Sequence, residues 1–471
     1  MNLFSLRLSY SRTTLVVAAS LIVLAVSAYI GPRASITQLA PFVGVIGLLI
    51  LLRNPELGLI AVLVSAMSIP ITIGTGTQTK LNMAIILIPA LLLLWIVEML
   101  RRRDLRLVPS PTNLPLFAFI LSVTISLIAG SVPWNYFADT ASLSSQIGGW
   151  AIFVCSAAIF LLVGNQIKDL RWLEVLTWIF LGLGAVAEVG RALRGEVGNV
   201  ANYIVLDENG AGSLLWVWLV ALAGGQAIFN RKLNRFLRAG LAALTIVVLS
   251  VAWLRYRWWT SGWLPEMVTL WVLIALRSRR AGIALAIAGA IFVLVLDPEV
   301  IPNLATAKQY STDTRMLASE IILTQVVPSN PVIGLGPANY YFYTPLYPIL
   351  GYYVSFNSHN QYVDIIAQTG LVGLAVFGWL MTSIGYVAWK LKDRAAEGFS
   401  RAYVYTCLAG LVGMLFAGTL ADWVLPFVYN IGISGFRVSM LGWLFLGGLV
   451  SLKYITDRDT PASSREEALD E

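Results

Sequence analysis

One histidine, His359, occurs in the 471 residues. Its imidazole is the one side chain type here whose ordinary titration lies near neutrality, so it is suited to take a proton from a hydroxyl. It stands in the triplet Ser358-His359-Asn360, just before a long apolar stretch that opens near Val363. Five arginines form a second set: Arg191, Arg194, Arg255, Arg257 and Arg315. A guanidinium is planar and permanently charged and grips phosphate oxygens two at a time. Several of them converging on one membrane surface would suit a polyprenyl diphosphate headgroup. The plainer role for Arg191, Arg194 and Arg255 is to reach from helix ends to lipid phosphates.

What must position these groups is a set of membrane helices. The chain is 58% hydrophobic and only 12% charged, against about 25% charged residues in soluble domains. Apolar runs near the roughly 20 residues of a bilayer crossing recur along it. They do not alternate as barrel strands would. Helices are expected near 13–31, 37–52, 56–73, 81–100, 113–132, 148–167, 171–190, 210–229, 236–254, 261–276, 281–296, 363–389, 401–420 and 437–452. The expected fold is therefore all-α and polytopic, with about fourteen transmembrane helices (twelve to fourteen) and one large extracytoplasmic loop. The first run follows Arg7 and Arg12 and shows no small-residue cleavage site, so it is expected as a retained helix.

Charge sets the orientation. With the N-terminus inside, the basic clusters all fall in cytoplasmic connections: Arg101–Arg103, Lys168 and Arg171, Arg231–Arg238, Arg277–Arg280, Lys390–Arg401, and Lys453. Both termini are then cytoplasmic, and the net charge of +7 reflects these loops and not a nucleic-acid partner. Residues 457–471 are polar and acidic and are expected to form a disordered tail. Cys155 and Cys407 lie inside apolar runs and are expected as small buried groups. One histidine cannot build a histidine-rich metal centre, and no cofactor is expected.

The extracytoplasmic side receives residues 133–147, 191–209, 255–260 and the long stretch 297–362. Long loops of this size usually carry function. Within it, Ser311 to Val327 has the apolar spacing of an amphipathic helix, with Met316, Leu317, Ile321, Ile322 and Val326 on one face and Ser311 or Asp313 as its cap. Gly334 and Gly336 permit a tight turn. Tyr340, Tyr341, Phe342, Tyr343, Tyr347, Tyr352 and Tyr353 come next, as an interfacial aromatic belt or a platform on which sugar rings stack. Glu266, near the extracytoplasmic end of its helix, could pair with Arg255 or Arg257.

The stretch NPVIGLGPANYY followed by SHNQYVDIIAQTGLVGLAVFGWL resembles the signature of the O-antigen ligase and polymerase superfamily. The matching elements are Gly334 and Gly336, Arg315 upstream, His359 and Asn360, and Gln368, Gly370, Leu371 and Gly373. ENGAGSLLWVWLV at Asn209 resembles the family's mid-chain asparagine. The resemblance spans about 200–390 and implies a GT-C-like fold, with 1–200 as N-terminal helices, 201–390 as the ligase-like core and 391–456 as C-terminal helices. It implies inverting transfer of a glycan from a polyprenyl-diphosphate-linked donor to an acceptor hydroxyl on lipid A core, protein or another lipid-linked repeat. No nucleotide sugar or metal is required. By the same resemblance the protein resides in a bacterial cytoplasmic membrane, His359 activates or orients the acceptor, and Arg315 holds the diphosphate. Family members carry Ser-Arg-Gly before the helix at 261–276. Here Ser261 and Gly262 are adjacent, and Arg257 or Arg255 is the expected substitute. The alternative is a transporter or flippase of lipid-linked oligosaccharides. Such proteins place polar groups at broken helices near the midplane, whereas Glu188 and Glu266 lie near helix ends.

Overall fold

The computed structural model describes residues 54–70, 72–74, 80–205, 213–257, 259–291 and 309–459. The chain divides into two compact units, Met1–Pro55 and Glu56–Glu471, and the helical bundle is the second of them. The helices expected near 13–31 and 37–52, together with Asn209, lie outside the described residues, as does the tail beyond Asp459.

The helices run in the order α1 (Pro55–Ser68), α2 (Met83–Arg102), α3 (Asn113–Ala129), α4 (Leu143–Gln166), α5 (Leu170–Leu193), α6 (Gly195–Ile204), α7 (Ser213–Phe229) and α8 (Arg235–Tyr256). After them come α9 (Thr260–Arg277), α10 (Arg279–Ile291), α11 (Gln309–Ile321), α12 (Tyr340–Tyr343), α13 (Gln361–Leu391), α14 (Phe399–Leu420) and α15 (Gly432–Asp459). The expected segments from 56–73 onward each coincide with one of them. Among the described residues seven helices, α2, α4, α5, α8, α13, α14 and α15, are long and apolar enough to cross a membrane. Local chemistry sets their starts. The side chains of Asn82, Ser142, Asp169, Asn234 and Asn360 each accept from a backbone N–H of the adjoining first turn, supplying a partner that the helix itself cannot.

Several elements differ from expectation. α1 stops at Ser68, because the residue before Pro70 is pushed out of helical geometry. Thr72–Gly74 instead pairs antiparallel with Lys80–Asn82. A short helix, α6, forms inside segment 191–209, a stretch expected as a loop. The loop helix α11 begins at Gln309, so Ser311 and Asp313 lie within it and do not cap it. α15 continues to Asp459, where Asp457 pairs with Arg394 at 2.7 Å and with Lys453 at 2.7 Å, so these charges extend the helix into the expected tail.

α7 is the hub. Leu214 to Ala223 are buried throughout, and α7 packs against α8, α9, α14 and α15. A helix apolar on all sides is buried on all sides. Around it, α4 packs along α15 and α3 along α13. Ile246, Leu254, Leu93 and Leu121 face outward on the peripheral helices, the arrangement expected where the solvent is lipid.

The basic connections meet at one end of the bundle. Arg458 donates to the Lys168 carbonyl at 3.1 Å, and Lys232 packs beside Gly398. The long loop folds at the other end, around Ile322, Val326, Tyr340, Tyr343 and Phe427. Tyr340 and Tyr343 are therefore core residues, neither belt nor sugar platform; Tyr352 and Tyr353 remain exposed.

α13 is broken at Gly370 (φ 68°, ψ −173°), and the turn at 331–336 is threaded into the break. Leu335 and Gly336 donate to the Ala367 and Gln368 carbonyls at 3.0 and 2.9 Å, while Leu371 and Val372 donate to those of Pro331 and Val332 at 2.9 and 3.1 Å. The carbonyls and N–H groups freed by the break are thus satisfied by the turn. A Cβ on Gly334 or Gly370 would lie 2.4 or 2.2 Å from opposing backbone. The two glycines are the contact surface of this lock.

Candidate active site

The beginning of α13 carries the histidine. Asn360 caps the helix through Oδ1, accepting from the N–H of Tyr362 at 3.0 Å and of Val363 at 3.4 Å. His359 precedes it in a left-handed conformation, φ 50°, which histidine adopts more readily than bulkier residues. Ser358 fixes the turn: its hydroxyl accepts from the Asn360 N–H at 2.9 Å and donates to Asp364 at 2.8 Å. Asp364 also accepts from the Tyr340 hydroxyl. Through Tyr340 the loop core and the first turn of α13 are one unit.

A second segment, the connection after α14, is pinned to the same place. The Gln361 amide pairs with the Leu425 backbone as a strand would, donating to its carbonyl at 3.2 Å and accepting from its N–H at 2.7 Å. Tyr362 donates to the Leu415 carbonyl at 2.7 Å. Asp422 lies buried in this connection and accepts from the Phe427 N–H at 2.7 Å and from the Asn430 side chain at 2.5 Å. The same Asn430 nitrogen is 3.4 Å from Nδ1 of His359.

Arg315 arrives from α11. Its guanidinium donates to the Leu420 carbonyl at 3.4 Å, at the last turn of α14, and α11 is tied to the histidine turn by Ser319, which donates to the Ser358 carbonyl at 3.4 Å. The four side chains influence one another. Burial, then the positive charge of Arg315, draws His359 down to about 4, so its ring is neutral near pH 7. Burial pushes Asp422 up to about 6, against the hydrogen bonds from Phe427 and Asn430. Burial lowers Arg315, and Asp422 opposes that shift. The result is a neutral imidazole beside a half-buried cation whose countercharge is a buried acid. Such an arrangement can orient a hydroxyl, receive its proton and neutralise an anionic leaving group.

Residues 233–378 match the family model of the O-antigen ligase. This stretch, less than half of the chain, is similar to an O-antigen ligase domain. It runs from just before α8 past the break in α13, and includes Arg255, Arg257, Glu266, Arg315, Gly334, Gly336, His359 and Asn360. No curated protein matches the chain. Asp422 and Asn430 lie outside the matched stretch, as do Arg191 and Arg194.

The structure sorts the remaining arginines into other surroundings. Arg191, Arg194 and Arg255 line one cleft of about 390 Å³ with Asn199, Asn202 and Tyr256. Arg191 is ion-paired to Glu188, and Arg255 donates to the Ala192 carbonyl at 2.7 Å. Arg257 lies over the Trp253 ring, 5.0 Å from its centroid. Glu266 is not their partner: it is fully buried, and neither of its oxygens has a hydrogen bond among the described residues. The acid that pairs with an arginine of the cleft is Glu188. From Tyr256, which lines the cleft, a run of rings leads through Trp259 to Trp423, the neighbour of Asp422, with Trp259 5.5 Å from Trp423 and 6.5 Å from Tyr256.

Asp422 and Asn430 escaped the sequence reading, although one signal was there. Asp422 is an acid directly after an apolar helix at the end opposite the basic loops, where acids are functional candidates. Nothing in the spacing marks Asn430, because its role exists only once the connection after α14 folds over α13.

Proposed function

We propose that this protein transfers a glycan, with inversion, from a polyprenyl-diphosphate-linked donor to an acceptor hydroxyl on the extracytoplasmic face of a bacterial cytoplasmic membrane. The similarity of residues 233–378 to the O-antigen ligase domain supports a glycan-transfer role in surface polysaccharide synthesis; donor, acceptor and face are the proposal. The observation that carries it is the convergence of Arg315 and His359, from separate elements, on the rim formed by Leu420, Asp422 and Asn430. The loop end that holds them lies opposite the basic connections, and the positive-inside asymmetry supports a face outside the cytosol.

The acceptor oxygen forms its bond to the anomeric carbon from the face opposite the diphosphate, and the bond from that carbon to the phosphate oxygen breaks. The hydroxyl proton passes to His359, and the electron pair leaves with the diphosphate, whose charge Arg315 meets. Asn430, anchored by Asp422, orients the imidazole. With its amide nitrogen toward Nδ1, the lone pair is on Nδ1, and Nδ1 receives the hydroxyl proton as the 3.4 Å contact to Asn430 gives way.

The test is purified protein with a synthetic polyprenyl-diphosphate oligosaccharide. Product growth without a further acceptor marks a polymerase, and dependence on an added lipid or protein acceptor marks a ligase. His359→Ala is expected to slow transfer at least about 100-fold while donor binding persists; full activity in that variant would end the proposal. Arg315→Ala is expected to impair use of the donor more than of the acceptor.

A further inference from the structure

The cleft of Arg191, Arg194 and Arg255 is built apart from the histidine. Its arginines contact α5, whereas Arg315 contacts the end of α14. Its wall is α6, a helix whose two faces differ. Gly195, Asn199 and Asn202 line the cleft, and at 100° per residue they fall on one face. Val197, Val200 and Ile204 fall on the opposite face and are exposed, as is Tyr203 beside them. A short helix with this division lies along a bilayer surface. Its first turn opens toward the arginines, adding the positive end of the helix to theirs.

One buried acid is set against this charge; Glu196, also in the first turn of α6, does not line the cleft. Glu188 is wholly buried, ion-pairs with Arg191, and accepts from the Trp216 indole at 3.0 Å. Arg191 itself is only 8% exposed, so it does not reach out to bulk lipid. It is a cleft cation held back by an internal counter-ion, while Arg194 is exposed.

We propose that this cleft is a binding site for the phosphate of a membrane lipid, entered from the bilayer surface along α6, with Glu188 as the counter-ion that the phosphate displaces from Arg191. Phosphate chemistry is shared by a prenyl diphosphate, a phospholipid and a free diphosphate ion. The three exposed apolar positions of α6 favour a ligand that carries its own hydrocarbon, since a soluble ion has no use for a helix seated in the interface. The site goes beyond the transfer reaction and stands whether or not His359 is catalytic.

The experiment measures binding to the full chain in nanodiscs. The probes are farnesyl diphosphate, inorganic pyrophosphate, farnesol, and phosphatidic acid in the disc lipid. Farnesyl diphosphate or phosphatidic acid should bind at least about tenfold more tightly than inorganic pyrophosphate, and farnesol should not compete. Arg194→Ala and Arg255→Ala should each weaken binding about tenfold, the scale of one charge-assisted contact. The losses at Arg194→Ala and Arg255→Ala should persist in the Arg315→Ala background, which separates the cleft from the histidine centre. Glu188→Gln should strengthen binding several-fold, and this gain should vanish in the Arg191→Ala background. Should Glu188→Gln not fold, Glu188→Asp draws the carboxylate back by one methylene and should act in the same direction. Unchanged affinity in both Arg194→Ala and Arg255→Ala overturns the site. Weakened binding in these with no gain at Glu188 overturns the counter-ion role. Tighter binding of inorganic pyrophosphate than of either lipid overturns the lipid assignment.

Discussion

At the residue scale, the chemistry near His359 depends on which groups carry charge at working pH. His359, drawn down to about 4, is neutral from about pH 5 upward and produces no change in rate there. Asp422, pushed up to about 6, changes charge within the ordinary range. Above that value it is the anion that faces Arg315 and anchors Asn430; below it the anchor weakens. Transfer should fall as pH drops through about 6, and Asp422→Asn should remove that limb while lowering the maximal rate. A pH profile of kcat in the two proteins checks this. Stability has the opposite signs in the two groups. Asp422, raised on folding, stabilises most below its ordinary value of 3.8 and loses that contribution as pH rises through about 6. His359, lowered on folding, stabilises fully above 6.5 and loses the contribution as pH falls toward 4. In Asp422→Asn the histidine's contribution is no longer opposed by Asp422, so Tm should rise with pH between about 4 and 6.5 more steeply than in the unaltered protein.

At the scale of elements, the lock between the 331–336 turn and the broken helix α13 fixes where the histidine turn stands. Gly370 combines a left-handed φ of 68° with an opposing carbonyl 2.2 Å from where a Cβ would sit. Gly370→Ala should therefore be destabilised by more than about 2 kcal/mol, seen as a lower Tm and yield. Gly378, further along the same helix, has nothing within 4 Å of its Cβ position, and Gly378→Ala should melt like the unaltered protein. Equal melting of the two variants would show that the break can close without the turn. The glycine pattern was legible as a turn in the sequence. Its partner was not, because the other half of the lock lies more than thirty residues away (Gly334 to Gly370) and pairs through backbone, which leaves no mark on residue type.

For the whole molecule, the deciding property is which end faces the cytosol. The exposed Tyr352 belongs to the loop end and Arg102 to a basic connection. A cysteine in place of Tyr352 should react with a membrane-impermeant maleimide in intact spheroplasts, and a cysteine in place of Arg102 only after permeabilisation. The native Cys155 and Cys407 are buried and should contribute little background. Labelling in the reverse order would put His359 on the cytosolic side and remove the lipid-linked donor from its reach.

The amino-acid sequence by itself determined the helical membrane class, most helix positions, the separation of basic from loop ends, and the glycine and histidine motifs. These come from local quantities: apolar length, charge placed in short connections, and residues that cap or turn a chain. Only the tertiary structure decided that Arg315 and His359 meet beside Asp422 and Asn430, that Tyr340 is core, that Glu188 rather than Glu266 holds an arginine, and that three arginines form a cleft of their own. Those outcomes depend on which helix ends pack together around α7. Packing is set by the shape and buried polar pairing of segments far apart in the chain, such as Gln361 with Leu425.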